Sequence, residues 1–146
     1  MQGMAFEKSS SAGYLANHMA RLFASGLQRR IKPLGLATGQ FPALVALWQK
    51  EGQTQKDLVA ALDIEQATLA NTLSRMERDG LVIRKPCDED GRVQRIHLAA
   101  KARALKDDAI DAAMAQNAVA LEDFTEEEIA QFLEFMRRAI ATMQSG

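Results

Sequence analysis

The hydrophobic pattern of this 146-residue chain changes its period once and then changes back. Up to Gly80, apolar residues recur at three- and four-residue steps, which is the spacing of amphipathic helices. The segment 81–85 is then strand-like, and the segment 93–98 alternates apolar and polar residues, as half-buried strands do. Helical spacing returns at Ala99 and continues almost to the end of the chain. We therefore predict a mainly α fold with one small β-hairpin, in the α+β class.

Two short helices are predicted immediately before the hairpin. Thr54 to Asp57 read Thr-Gln-Lys-Asp, which fits a capping box with a hydroxyl at the cap and a carboxylate three residues later. A brief turn at 63–65 separates this helix from a longer one that runs from about Gln66 to Asp79. Gly80 supplies a left-handed C-terminal residue. Two helices joined by a tight turn and followed by a hairpin predict a winged helix-turn-helix.

The longer helix has two different faces. On a helical wheel of residues 65–79, Leu69, Thr72, Leu73 and Met76 fall on one side. The opposite face carries small residues, amides, hydroxyls and arginines, and no acid lies near its centre. Such a face suits the major groove of DNA, although an ordinary solvated helix face is the alternative. The candidate DNA contacts on this helix are Gln66, Ala67, Thr68, Ala70, Asn71, Ser74, Arg75 and Arg78.

The predicted hairpin loop begins with acidic residues, Asp88-Glu89-Asp90-Gly91, which resemble the start of a calcium loop. The later ligand places of such a loop are occupied by Arg92 and Gln94, and strands flank the segment where that motif has helices. We therefore do not expect a metal here. An arginine on a protruding hairpin suits the negative potential of a narrow minor groove. The candidate DNA contacts in this region are Asp90, Arg92 and Arg95.

The net charge of −1 conceals a strong segregation of charge along the chain. Residues 75–103 hold 8 basic and 5 acidic side chains, whereas residues 104–146 hold 3 basic and 9 acidic ones. A sequence pI near 6.1 is therefore no argument against a polyanionic partner. The chain shows no secretory pattern, no membrane span and one cysteine, so we expect a cytoplasmic protein.

The region around the hairpin resembles the multiple-antibiotic-resistance regulator (MarR) family of bacterial transcription factors. The stretch that carries the resemblance is TLANTLSRMERDGLVIRKPCDEDGRVQRIHL, residues 68–98. It contains the family's recognition-helix exit, Arg-(apolar)-Glu-x-x-Gly-Leu, and its wing motif, Asp-x-Arg-x-x-x-(apolar)-x-Leu, at the usual separation. The resemblance extends from about Tyr14 to Met143. This chain departs from the family at Ala99, where a threonine is common before the next helix, and at Glu65, where Ser or Asp is common.

The resemblance implies a homodimer that binds a pseudo-palindromic operator in double-stranded DNA and regulates transcription, as a repressor. It places Arg92 in the minor groove with Asp90 orienting it, and half-sites about 34 Å apart. Within a single domain, 1–146, it predicts a DNA-binding region at 36–100 and dimerisation helices at 9–34 and 101–144. The apolar stripes of those outer helices could instead form an intrachain core. The alternative function is a winged-helix protein-interaction module without a DNA target.

Members of the family often lose DNA affinity when a small aromatic or phenolic acid binds. Some relatives sense oxidants through a cysteine in the first helix, where this chain has none, and Cys87 lies instead at the wing. His18 and His97 do not have metal-ligand spacing with it. We expect no cofactor and no enzymatic activity, since no nucleophile–base pair or phosphate loop is present. Plain core packing is the favoured interpretation for each residue that could line an effector site. These residues are Tyr14, His18, Met19, Phe41, Leu44 and Trp48.

Overall fold

The computed structural model describes residues 5–146 and confirms a helical protein with a small antiparallel sheet. Three short 3-10 segments accompany the helices, at Lys8–Ser10, Lys32–Leu34 and Thr38–Gln40. The helices are α1 (Ala12–Ile31), α2 (Phe41–Gln49), α3 (Gln55–Leu62), α4 (Gln66–Arg78), α5 (Ala100–Ala120) and α6 (Glu126–Ser145). The strands are β1 (Gln53–Thr54), β2 (Val82–Pro86) and β3 (Gln94–Leu98).

The predicted helix boundaries are confirmed where a local hydrogen bond sets them. The Thr54 hydroxyl accepts from the backbone N–H of Asp57, and the Asp57 carboxylate accepts from the N–H of Thr54, both at 3.0 Å. The same reciprocal pair opens α6, between Thr125 and Glu128. Gly80, with φ of 77°, ends α4 in the left-handed conformation that glycine adopts without strain.

The sheet contains one strand more than the predicted hairpin. Its order is β1-β3-β2, all antiparallel, with Ile83 opposite His97 and Thr54 opposite Arg95. The alternation within β3 is as predicted, because Ile96 and Leu98 are buried while Arg95 and His97 are partly exposed on the other face. The pairing of β1 with β3 ties the start of α3 to the wing.

The core is built mainly between the helix-turn-helix, the sheet and the inner parts of α1, α2 and α5. α1 and α5 cross closely at Gly26, because a Cβ added there would overlap the side chain of Gln116. Among the residues that the structure describes, α6 contributes none to the buried set. The largest fully buried side chains are Ile31, Leu44, Leu47, Leu58, Leu69, Leu73, Met76, Leu81, Val82, Ile96 and Leu98.

Several large apolar side chains of the outer helices remain exposed in the single chain. None of the helices within residues 5–146 is long and apolar enough to cross a membrane. The exposed large apolar side chains on α1, α5 and α6 include Leu15, Leu22, Met114, Val119, Leu133, Phe135, Ile140 and Met143.

Candidate nucleic-acid interface

Helix α4 lies on the surface with the two faces that its sequence predicts. Leu69, Leu73 and Met76 are buried against the core, with exposures of 1% or less. Ala70 is partly buried at the edge of the opposite face. Seven of the eight predicted contacts on this helix are exposed to solvent, namely Gln66, Ala67, Thr68, Asn71, Ser74, Arg75 and Arg78.

The exposed face of α4 presents donors and small side chains over its whole length. Glu77, an acid on the same helix, is 3.5 Å from the guanidinium of Arg84 on β2, so its charge is offset within the protein. Asn71 can offer both an amide donor and an acceptor, which is the pair that an adenine edge requires. The arrangement is chemically able to read base edges and to bind phosphate.

The C-terminal end of α4 is held by a cluster of hydrogen bonds centred on Asp79. One carboxylate oxygen accepts from Nε of Arg78 at 3.2 Å, and the other accepts from Nε2 of Gln40 at 2.9 Å. The Nζ of Lys101, at the start of α5, donates to the Asp79 carbonyl oxygen at 3.1 Å. The bonds from Gln40 and Arg78 hold the pKa of the Asp79 carboxyl below its usual range.

The wing places its arginine at an exposed tip. The Arg92 side chain is 92% exposed, and its Nε lies 3.2 Å from Oδ1 of Asp90. The same oxygen accepts from the backbone N–H of Arg92 at 3.1 Å. This backbone bond and then the guanidinium keep the pKa of the Asp90 carboxyl below its usual range. The carboxylate thus contacts the arginine that the family resemblance expected it to orient.

Arg95 has different surroundings from Arg92. Its Nη1 donates to the carbonyl oxygen of Gly52 at 2.8 Å, and its side chain is only partly exposed. The thiol of Cys87, directly after β2, is buried. The backbone N–H groups of Asp90 and Glu89, and then Arg95, lower the pKa of that thiol. The guanidinium therefore braces the base of the wing and is not grouped with the exposed α4 face.

Two contacts near the interface were not predicted from the sequence. Gln40, only 6% exposed, bonds to Asp79 across 39 positions of the chain. Arg103, on α5, forms two 2.8 Å bonds to the carboxylate of Glu51. Both contacts join segments that are distant in sequence, so a local pattern could not have identified them.

The six residues expected to line an effector site do not share one cavity wall, although the rings of Phe41 and Trp48 pack edge to face with their centroids 5.9 Å apart. Leu44 is fully buried in the core, and this excludes it from an accessible cavity wall. The Trp48 indole Nε1 donates to the Ala102 carbonyl at 3.0 Å, which fixes the ring as a packing group between α2 and α5. Tyr14 and His18 are exposed near the start of α1. These four side chains line neither of the two inter-helix cavities near α1 and α5.

A cavity of about 360 Å³ lies between α1, the turn before α2, and α5. Phe41 borders it, and Met19 borders a neighbouring cavity of about 310 Å³. The larger cavity is lined by Phe23, Ala24, Leu27, Thr38, Phe41, Pro42, Ala113, Gln116 and Asn117. Among these described residues none is charged, so the wall is apolar with one hydroxyl and two amides. Within residues 5–146 no cluster of His, Cys, Asp and Glu could hold a metal ion.

Residues 36–93 match the sequence profile of the MarR family, a range that contains α4 and the wing arginine. The fold also superposes on a MarR family transcriptional regulator from Listeria monocytogenes complexed with a 26mer DNA. The TM-score is 0.84, the identity is 28%, and the alignment covers 92% of this chain and 89% of that one. The family resemblance and the winged-helix fold class are therefore confirmed.

Two further solved structures show the same fold. A MarR transcriptional regulator from Methanosarcina mazei Go1 matches at a TM-score of 0.80 and 26% identity, over 90% of this chain and 96% of that one. CouR from Rhodococcus jostii RHA1, bound to p-coumaroyl-CoA, matches at a TM-score of 0.77 over 91% of this chain and 94% of that one. Its identity of 20% supports similarity of fold alone.

Proposed function

We propose that this chain, whose residues 36–93 match the MarR family profile, is a dimeric repressor of transcription. In this proposal each protomer inserts α4 into the major groove of a pseudo-palindromic site and Arg92 into the adjacent minor groove. The observation that carries the proposal is the exposed face of α4, which combines amides, hydroxyls and arginines, together with the exposed wing arginine. Opposite that face, the same helix is anchored by three buried apolar residues.

The same proposal assigns DNA binding and dimerisation to different parts of the chain. Residues 36–100 would form the DNA-reading region, and residues 9–34 and 101–144 the dimerisation region. The exposed apolar side chains of α1, α5 and α6 support this division, since surface of that kind marks protein contact sites. A twofold dimer would explain why an operator should be an inverted repeat.

The experiment is a titration of the protein into a fluorescently labelled duplex taken from the DNA upstream of its own gene. Specific binding should exceed binding to a shuffled duplex of equal length and composition. Because each neutralised phosphate releases a condensed counterion, the affinity should fall steeply as salt is raised. Equal affinity for both duplexes would contradict the proposal. If the protein is dimeric but binds neither duplex, the alternative function of a protein-interaction module is favoured.

We also propose that a small aromatic or phenolic compound releases the protein from DNA. The support is the cavity bounded by Phe23, Phe41 and Ala113, whose wall joins the outer helices to the first turn of α2. Thr38, Gln116 and Asn117 offer hydrogen bonds to a hydroxyl, whereas a carboxylate would find no cation among the described lining residues. Release of a labelled operator by a phenol, with a weaker effect of the matching benzoate, is the expected result.

A further inference from the structure

Gln40 is a buried amide that joins two separate parts of the DNA-reading region. It ends the 3-10 turn before α2, and its side-chain oxygen accepts from the backbone N–H of Ala37 at 3.2 Å. Its amide nitrogen donates to Oδ2 of Asp79 at 2.9 Å. Leaving a buried polar group without a partner is costly, so this side chain is constrained to one orientation. Gln40 therefore specifies where the Asp79 carboxylate lies.

The constraint is passed on to a predicted DNA contact. The second oxygen of Asp79 accepts from Nε of Arg78, whose side chain is 72% exposed. A surface ion pair of this kind is weak by itself, because solvent screens it and both side chains remain free to move. Here the carboxylate is held on its other side by a buried donor, so Arg78 has a fixed partner. This pre-orders the guanidinium on the exposed face of α4.

The same turn is anchored on its opposite side. Oε1 of Gln28, on α1, accepts from both the backbone N–H and the hydroxyl of Thr38 at 2.9 Å. Nε2 of Gln28 donates to the Leu36 carbonyl oxygen at 3.2 Å. The turn that carries Gln40 is thus hydrogen-bonded to α1, and Asp79 is connected to α1 through this turn.

We infer that Gln40 is a positioning residue for operator recognition: it holds Asp79, which in turn presents Arg78 to DNA. The inference rests on the proposed function, because it concerns how the reading helix is aimed. It adds a buried residue outside α4 and the wing to the determinants of sequence preference. The effect should therefore show in the ratio of operator affinity to shuffled-duplex affinity, since an unspecific electrostatic change alters both affinities together.

The test exchanges the amide and the carboxylate between positions 40 and 79. Gln40→Glu places a carboxylate against Asp79, and the specificity ratio should fall about tenfold, which is equivalent to about 1.4 kcal/mol. In the double variant Gln40→Glu/Asp79→Asn, the new amide can donate to the new carboxylate and still accept from Arg78. That variant has the net charge of the unmodified protein, and its ratio should return to within about threefold, as coupled partners do in a mutant cycle.

Gln49→Glu is the matched control, because it adds the same charge at an exposed position of the neighbouring helix. It should leave the specificity ratio unchanged. Gln40→Met removes the donor without adding charge and should lower the ratio in the same direction, so an unstable Gln40→Glu protein does not prevent a decision. Thermal midpoints of all variants separate loss of folding from loss of specificity.

Two different results would overturn the inference. If Gln40→Glu and Gln40→Met lower the thermal midpoint but keep the specificity ratio, Gln40 is merely a stabilising residue. If the double variant stays as impaired as Gln40→Glu, the bond between the two side chains does not position Arg78. Unmodified protein without any operator preference would instead refute the proposed function itself, and the inference with it.

Discussion

Arg92 combines near-complete exposure with a fixed acidic neighbour. Exposed ion pairs contribute little to stability, so Asp90 can orient the guanidinium without binding it too tightly for release to DNA. Arg92→Ala should weaken operator binding about tenfold while the thermal midpoint stays unchanged, since the side chain packs against nothing. The measurement is fluorescence anisotropy with a labelled operator.

Arg137→Ala is the control for this variant, because Arg137 is also exposed and also pairs with an acid nearby in sequence. Its Nη2 lies 3.1 Å from Oε2 of Glu134. It lies on α6, outside the proposed DNA surface, and should leave operator affinity within about twofold, the effect of one distant charge. Equal losses for the two variants would mean that Arg92 acts only through net charge.

The pKa of the Glu51 carboxyl is strongly lowered. The hydrogen bond from Arg103 lowers this pKa from 4.5 to about 2, with a further contribution from the Leu98 N–H. Since the folded protein favours the ionised form, this stabilisation is complete above pH 4.5 and is lost as the pH falls towards 2. The thermal midpoint of the unmodified protein should fall across that interval.

Glu51→Gln supplies the comparison, because the amide can still accept from the Leu98 N–H but does not titrate. Its thermal midpoint should be lower than that of the unmodified protein at pH 7 and should fall less between pH 4.5 and pH 2. Thermal unfolding followed by circular dichroism measures both differences. Other carboxylates with lowered pKa values, including Asp57 and Asp79, titrate in both proteins. Parallel pH profiles for the two proteins would show that Glu51 is not coupled to folding.

At the scale of single elements, the helix starts differ in how they are capped. Thr54 and Thr125 accept cap hydrogen bonds, whereas Ala99 at the start of α5 has no side chain that could do so. Ala99 nevertheless has the extended backbone of a cap residue, with φ −75° and ψ 159°. Ala99→Ser should therefore stabilise the protein by about 0.5–1 kcal/mol, measured by urea unfolding.

Ala100→Ser is the appropriate control, since it adds the same hydroxyl one position inside the helix. There the side chain cannot reach the free N–H groups, and serine is a slightly poorer helix former than alanine. A gain in stability from Ala100→Ser as large as that from Ala99→Ser would contradict the capping explanation.

The elements that local chemistry defines were predictable, and those that depend on distant partners were not. The capping boxes, the left-handed Gly80 and the period of β3 follow from neighbouring residues, and all agree with the structure. β1 contains two residues, too few to show a period, and exists because β3 pairs with it. The buried amide of Gln40 was missed for the same reason.

The candidate DNA surface was more predictable than the candidate effector site. The wheel of α4 assigned each side chain to a face from helical geometry alone, and the observed burial agrees with it. The effector residues required knowledge of how α1, α2 and α5 pack together. Leu44 and Trp48 were possible effector-site residues with core packing as the favoured alternative, and they pack in the core. The sequence leaves both possibilities open because an apolar stripe has the same pattern in a cavity wall and in a core.

At the scale of the whole molecule, α6 has large apolar side chains that remain exposed to solvent in the single chain. Phe135 is 57% exposed and Ile140 is 50% exposed. If these side chains form the dimer contact, Ile140→Glu should bury a charge there and shift the protein towards monomer. Sedimentation equilibrium should then give about half the mass. Operator affinity should also fall by more than tenfold, because the two protomers, no longer linked in a dimer, bind the two half-sites independently.

Ile83→Glu is the matched control, because Ile83 is 43% exposed but lies on β2, away from the outer helices. Its sedimentation mass should equal that of the unmodified protein. A dimer that survives Ile140→Glu but is lost in Ile83→Glu would place the contact on the wing side of the molecule.

Thr54 belongs to two elements at once, since it pairs with Arg95 in the sheet and also caps α3. A single residue thereby joins the wing to the helix-turn-helix, and neither can open without straining the other. In the proposed complex with DNA, α4 and the wing are therefore held at a fixed separation. Their fit should then depend on the local width and twist of the duplex, so base pairs that the protein does not contact can still influence its affinity.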